Sequence, residues 1–409
     1  MTDVLIVGAG PSGSVAAAML AQKGYDVLVL ERQVFPRFSI GESLLANSMQ
    51  MLTEAGMAEA VYRCGFQYKN GAAFVCDEMY SEFNFVDKVS DGLPFTFQVP
   101  RAQFDQVLID EAVRFGAQVR YQVEITACDV SGDRPRVTAK DAQGNIEVHQ
   151  PRFVLDGSGF GRTLPRLLDL EKPSAFPVRA ALFCHIKDGI VSGAFDRQKI
   201  RIGINPAQRD IWSWLIPFSD GNSSMGIVAS QEQHAKYQGS NEERLWKMVA
   251  DEPKLQQLVA QAHAVRPVGE IVGYSANVKT LHGPGFALLG NAAEFLDPVF
   301  SSGVTIAIKS ASLAAQLLDR QFRGEKVDWQ TEFAEALMFG VETFRTFVNG
   351  WYDLSLQDVI FAPNKDPKIH KMICSVLAGY VWDPANPYNG PQSSRRLHAL
   401  AQMCRKQAA

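Results

Sequence analysis

The sequence predicts an α/β protein. A strand–turn–helix–strand unit is interleaved with an antiparallel-sheet unit, and a C-terminal helical segment follows. Three observations carry this. The β-branched run Val4-Leu5-Ile6-Val7 leads into Gly8-Ala9-Gly10-Pro11-Ser12-Gly13, a helical pattern through Leu20, and a second apolar run, Val27-Leu28-Val29-Leu30. Residues 69–97 and 180–228 alternate apolar and polar residues in short runs, such as Ala72-Ala73-Phe74-Val75 and Phe83-Asn84-Phe85-Val86. A third apolar run, Phe286-Ala287-Leu288-Leu289, precedes a loop at 290–303 and an Ala-rich helical pattern over 304–318.

The length, 409 residues, exceeds one ordinary core and suggests two or three joined units. Hydrophobic residues make up 46% and charged residues 21%, as in globular enzymes. A formal net charge of −4 gives no reason to expect nucleic acid or a membrane surface as partner. The six cysteines (64, 76, 128, 184, 374, 404) show no CxxC spacing, so they read as reduced thiols of a cytoplasmic protein with no metal site. The chain opens directly on its first strand, which leaves no place for a signal peptide, and no apolar run reaches the ~18 residues of a membrane span.

In the first unit, Gly8 makes the tight turn, Gly10 admits a pyrophosphate beside Pro11 and Ser12, and Gly13 lets helix and strand pack closely. Glu31 ends the second strand, where it can bind ribose hydroxyls. This context predicts a bound dinucleotide, with FAD and NAD both open. From Arg32 onward the chain reads as a loop, through Phe35-Pro36-Arg37-Phe38-Ser39-Ile40-Gly41-Glu42-Ser43, where a third strand is absent. Further on, 290–303 joins a strand to a helix. Its small residues, Ser301-Ser302-Gly303 after Asp297-Pro298, present backbone N–H groups at a helix N-terminus, which favours an anion.

Two features of the sheet unit can carry chemistry. Lys69 stands between aromatics just before a strand, and an ordinary strand-edge charge is the commoner fate of such a lysine. Trp212 and Trp214, at i and i+2, share one face of a strand. They read either as core packing or as a wall. Arg101, in Val99-Pro100-Arg101, reads either as a surface ion pair or as a cationic group close to a cofactor.

Taken together, these residues resemble the FAD enzymes of the para-hydroxybenzoate hydroxylase (GR2) type over nearly the whole chain. The resemblance implies a Rossmann-like FAD-binding domain contacted by Gly8, Gly10, Pro11, Ser12, Gly13, Glu31, Arg32, Ile40, Gly41, Arg101, Asp156, Gly290, Asn291, Asp297, Gly303 and Val304. Asn291 departs from the usual aspartate: it keeps an acceptor oxygen and loses the charge. Within that superfamily the chain is similar to the flavin-dependent halogenases. Trp212, Trp214, Ile216 and Pro217 match their Trp-x-Trp-x-Ile-Pro signature, and Phe295, Pro298, Ser301 and Gly303 match Phe-x-x-Pro-x-x-Ser-x-Gly. The usual glycine before the first tryptophan is missing, since Asp210-Ile211 stands there. Lys69 falls at the family's catalytic lysine. Phe300 replaces the glutamate of the free-tryptophan halogenases, which places the chain closest to halogenases of phenols or pyrroles, several of them acting on carrier-protein thioesters.

That resemblance implies a mechanism. Chloride or bromide is held at Pro298, Ser301, Ser302 and Gly303 and oxidised to hypohalous acid with FADH2 and dioxygen. Lys69 relays the halogen to an electron-rich aromatic, free or tethered to an acyl or peptidyl carrier protein. Trp212, Trp214 and Phe300 keep substrate and flavin apart. No second dinucleotide motif is present, which suggests that a separate NAD(P)H flavin reductase supplies FADH2.

The remaining pattern predicts helices over 104–115, 242–263, 333–354 and 368–382, and frayed last residues. It divides the chain into FAD-binding segments 1–65, 99–178 and 276–325, sheet segments 66–98 and 179–275, and a C-terminal helical region, 326–409. Two alternatives stay open: a halide-independent FAD monooxygenase or prenyl-type reductase, and a catalytically idle flavoprotein.

Overall fold

The computed structural model describes residues 2–408; Met1 and Ala409, the outermost residues of the expected segments, lie outside the described residues. The first apolar runs pair as expected of buried parallel strands. A six-stranded sheet takes the order 282–283, 286–288, 153–156, 4–7, 27–31, 118–121, parallel except at its first edge. Val4–Val7 is buried on both faces because helices cover the sheet, chiefly Pro11–Ala21, which packs on Ser302–Phe322 and Arg101–Arg114. Between the strands 118–121 and 153–156 of this sheet, Val123–Asp129, Arg136–Asp141 and Ile146–His149 form a separate three-stranded antiparallel sheet.

The second sheet has eight strands and is mostly antiparallel, as expected: Arg179–Lys187 pairs with Asn222–Ser230, and Trp212–Pro217 pairs with Lys199–Ile204 and Asn222–Ser230. It is not wholly antiparallel. Lys199–Ile204 runs parallel to Gly71–Cys76, which joins the two sheet segments of the sequence into one surface. The ladder of a separate small pair, Gln67–Lys69 with Thr96–Gln98, holds Lys69 opposite Thr96.

The helical expectations need three corrections. The predicted helix 242–263 is broken: Asn241–Ala250 ends, Pro253 begins a new helix to Leu258, and His263 lies in a strand, because proline cannot continue a helix interior. The aromatic helix starts as a π-helical segment, Trp329–Glu335, and continues as Ala336–Tyr352, with Leu354 in a left-handed conformation before Ser355–Ile360. The end of the chain is helical over Ser393–Ala408, where Leu397, Leu400, Ala401 and Cys404 bury one face at i, i+3, i+4, i+7. The aromatics of Ala336–Tyr352 are core: Phe344, Phe347 and Trp351 are buried. No helix among the described residues is long and apolar enough to cross a membrane.

Candidate active site

Between the two sheets lies a cavity of about 920 Å³. That is the upper range for small-molecule sites, roughly 300–1,000 Å³. The parallel sheet supplies Gly8, Gly10, Pro11, Ser12, Glu31 and Arg32 to its wall, and the loop after it supplies Ile40 and Gly41. Arg101, Asn291, Pro298, Ser301, Ser302, Gly303 and Val304 complete this side. Trp212 and Trp214 form part of the opposite wall, so their shared face is a lining as well as core.

The turn is built as the motif requires. Gly8 has φ +91°, and a Cβ there would stand 2.7 Å from the Gly157 carbonyl oxygen. Gly10 caps the helix Pro11–Ala21 with no side-chain bond, and a Cβ on it would point toward Arg37 at 3.5 Å, into space a bound group can use. The Glu31 carboxylate accepts from the Ala9 and Gln33 amides, each at 2.8 Å, which fixes it at the cavity wall with lone pairs to spare for hydroxyls. A helix N-terminus with free amides, an open glycine and a fixed carboxylate suit the pyrophosphate and ribose of a dinucleotide, so these residues fit FAD.

Arg101 is not a surface ion pair. It is buried, grips Asp105 through Nε and Nη2 at 2.8 and 3.0 Å, and donates from Nη1 to the Ile40 carbonyl at 2.6 Å. It therefore shapes the loop 40–41 at the cavity edge.

Four expected contact residues stand behind the wall. Gly13 packs against the Gly8 carbonyl. Asp156 is fully buried and accepts from the Ser158 and Leu164 amides, holding the turn that carries Gly157; burial pushes its carboxyl up. Gly290 packs against Ala307. Asp297 accepts from Tyr352 Oη (2.8 Å), Tyr274 Oη (3.2 Å) and the Val299 amide (3.0 Å), while burial pushes its carboxyl up to about 6. Phe300 likewise faces away, edge-on to Phe347 and Trp351. Gly13 thus makes the close helix–strand packing read for it, while the Asp156, Asp297 and Phe300 side chains point into the packing behind the cavity.

Lys69 is not a strand-edge charge. It is 1% exposed, and the loss of hydration pulls its ammonium down to about 7. Its Nζ donates to Ser43 Oγ and the Leu44 carbonyl, both at 2.7 Å, and lies 5.4 Å from the centre of the Phe85 ring. Lys69 does not itself line the cavity; Ser43 does. The structure thus brings lysine and cavity to opposite sides of one hydroxyl.

Residues 1–335 match the model of the FAD binding domain family. The chain is 30% identical to the 1H-pyrrole-2-carbonyl-[peptidyl-carrier protein] brominase of Pseudoalteromonas luteoviolacea, over 81% of this chain and 80% of that one. It is 28% identical to the corresponding chlorinase of Pseudomonas fluorescens, over 98% of this chain and 92% of that one. A crystal structure from Cytophaga hutchinsonii, described as a flavoprotein/dehydrogenase, superposes with a TM-score of 0.96 at 43% identity and full coverage of both chains. The chain belongs to the FAD-binding-domain family and, within it, to the flavin-dependent halogenases. It is an FAD-dependent enzyme of the oxidoreductase class whose co-substrate is a halide.

Some residues of this halogenase site were not foreseen. Glu42, 1% exposed, lines the cavity and is joined to His185 Nε2. Tyr352 bridges the two signatures, accepting from Trp212 Nε1 at 3.1 Å and donating to Asp297. A carboxylate beside a serine in the loop 40–43 was visible in the sequence, but its histidine lies 143 positions away.

Proposed function

We propose that this halogenase chlorinates or brominates an electron-rich aromatic, a phenol or a pyrrole, through hypohalous acid received at Lys69. The buried, hydroxyl-tethered lysine carries this reading. A buried ammonium that loss of hydration pulls down to about 7 needs a reason other than stability.

Bound FADH2 and dioxygen supply the oxidising equivalent that turns halide into hypohalous acid. The chain's own residues divide the rest. The first turn of Ser302–Phe322 leaves amides without intrahelical partners, and Ser301 in a left-handed conformation turns the backbone so that these can hold a halide. Trp212 and Trp214 close the opposite wall and keep the organic substrate from the cofactor side, so oxygenation does not compete. Lys69 holds the acid by hydrogen bonding. Its neutral form can also take the halogen: an N–X bond forms, O–X breaks, and hydroxide leaves with the amine proton as water. Attack by the aromatic ring then forms C–X as N–X breaks, and the ring proton passes to the lysine nitrogen to restore the amine.

The names of the relatives that act on pyrrolyl carrier-protein thioesters support a tethered pyrrole as the first substrate to try. A separate flavin reductase remains part of this reading, as does the division into three FAD-binding segments, two sheet segments and a helical region. The test is incubation with reductase-supplied FADH2, with and without bromide, for the wild type and Lys69→Ala. Halide-dependent product that Lys69→Ala does not form supports the reading; oxygenated product without halide would return the chain to the hydroxylases.

A further inference from the structure

The lysine is part of a larger polar cluster that the relay does not yet use. Lys69 stands opposite Thr96 in one antiparallel pair, and Ser43 stands opposite Gln98 in an isolated bridge to the same strand. The Leu44 amide bonds the Phe97 carbonyl and the Val99 amide bonds the Glu42 carbonyl, so the register is held on both sides. Opposed residues, and residues two apart, share a face of a sheet. Ser43, Lys69, Thr96 and Gln98 therefore lie on one face, and all four are buried.

Their hydrogen bonds are incomplete in a specific way. Gln98 Nε2 donates to the Arg197 carbonyl at 3.0 Å, but Gln98 Oε1 has no partner. Thr96 Oγ1, fully buried, has none either. Buried polar atoms are normally satisfied, and two orphans on the face that carries a buried lysine call for a ligand.

We propose that Thr96 and Gln98 extend the Lys69–Ser43 pair into a binding site for hypohalous acid. The inventory matches that ligand. Gln98 Oε1 can only accept, and it takes the acid's O–H. Thr96 and Lys69 donate to the acid's oxygen, and Ser43, whose oxygen already accepts from Lys69, keeps its own O–H to donate. A bare halide has no hydrogen for Gln98, so the site favours the neutral acid over its precursor. Ser43 also lines the large cavity, which places this site next to where the acid forms. The inference rests on the reading that Lys69 receives the acid.

The test uses the FAD-loaded protein with reductase-supplied FADH2, bromide and an accepted aromatic. The variants are Thr96→Val, Gln98→Met and Lys69→Ala. Product per flavin oxidised is measured together with hypobromous acid escaping to a dimedone trap. Thr96→Val should lose about tenfold in product yield, the worth of one hydrogen bond to a small ligand. Trapped acid should rise to match, with the KM for bromide unchanged. Gln98→Met should behave alike. Thermal melts separate this from a structural role, because valine replaces an unpartnered hydroxyl and should melt at or above the parent. Unchanged yield and leakage in both variants, with product lost in Lys69→Ala, would overturn this site and leave the lysine relay standing. Product retained in Lys69→Ala would overturn the relay and this site with it.

Discussion

Replacing Lys69 with Met should stabilise the protein at neutral pH relative to alkaline pH. Burial pulls the Lys69 ammonium down to about 7 from an ordinary 10.5. The unfolded lysine therefore holds its proton through a window in which the folded one has released it. At about 1.4 kcal/mol per pH unit, this gap amounts to about 5 kcal/mol of destabilisation. The sign follows from proton counting. The penalty is fully present below about pH 7, and shrinks as pH rises through the window to the unfolded value. Methionine removes it but strands the Leu44 carbonyl and Ser43 hydroxyl, at a pH-independent cost of about 1–3 kcal/mol. The slope is thus the diagnostic and the offset is not. Urea melts of both proteins, at intervals between about pH 6 and pH 10, should show the variant's relative stability falling by several kcal/mol toward the alkaline end. A difference that stays constant with pH would refute the claim that a desolvated ammonium sits at this position.

Three further outcomes follow from the geometry. Tyr352→Phe removes the hydroxyl that joins Trp212 to Asp297, and should cost about 1–3 kcal/mol in a thermal or urea melt, since Trp212 Nε1 loses its acceptor. Gly8→Ala forces a Cβ to 2.7 Å from the Gly157 carbonyl at a positive φ, and should abolish FAD uptake in a fluorescence titration. Gly303→Val crowds the Phe295 ring, 3.4 Å from even a Cβ, beside the first turn of its helix, and should raise the KM for bromide more than it lowers FAD affinity.

How much of this could be read from the chain depends on the range of each interaction. The turn at Gly8–Gly13, the strand ending in Glu31 and the strand–loop–helix at 286–318 are local, so their geometry followed from spacing. Trp212 and Trp214 sit on one face because strands alternate, which any strand must do. What escaped was non-local. The parallel pairing of Lys199–Ile204 with Gly71–Cys76 leaves no trace in alternation, which reads the same for either direction. Lys69 looked like surface because lysine usually is; its burial depends on Ser43 and Leu44, brought there by the strand that ends at Gln98. Asp156, Gly290, Asp297 and Phe300 border the cavity in sequence but turn their side chains, or their missing ones, into the packing behind it. The last helix was read only as part of a helical region with frayed last residues, although Leu397, Leu400, Ala401 and Cys404 have helical spacing within a polar segment.

The central claim is that halogen reaches an electron-rich ring by way of Lys69. The most direct measurement is mass spectrometry of a pyrrolyl carrier-protein thioester, and of free phenols, after reaction with FADH2, oxygen and bromide. The account predicts the paired isotope pattern of bromine on at least one of these with the wild-type protein, and its absence with Lys69→Ala at undiminished flavin oxidation. Bromination that persists in Lys69→Ala, or an oxygenated product formed equally well without halide, would contradict it.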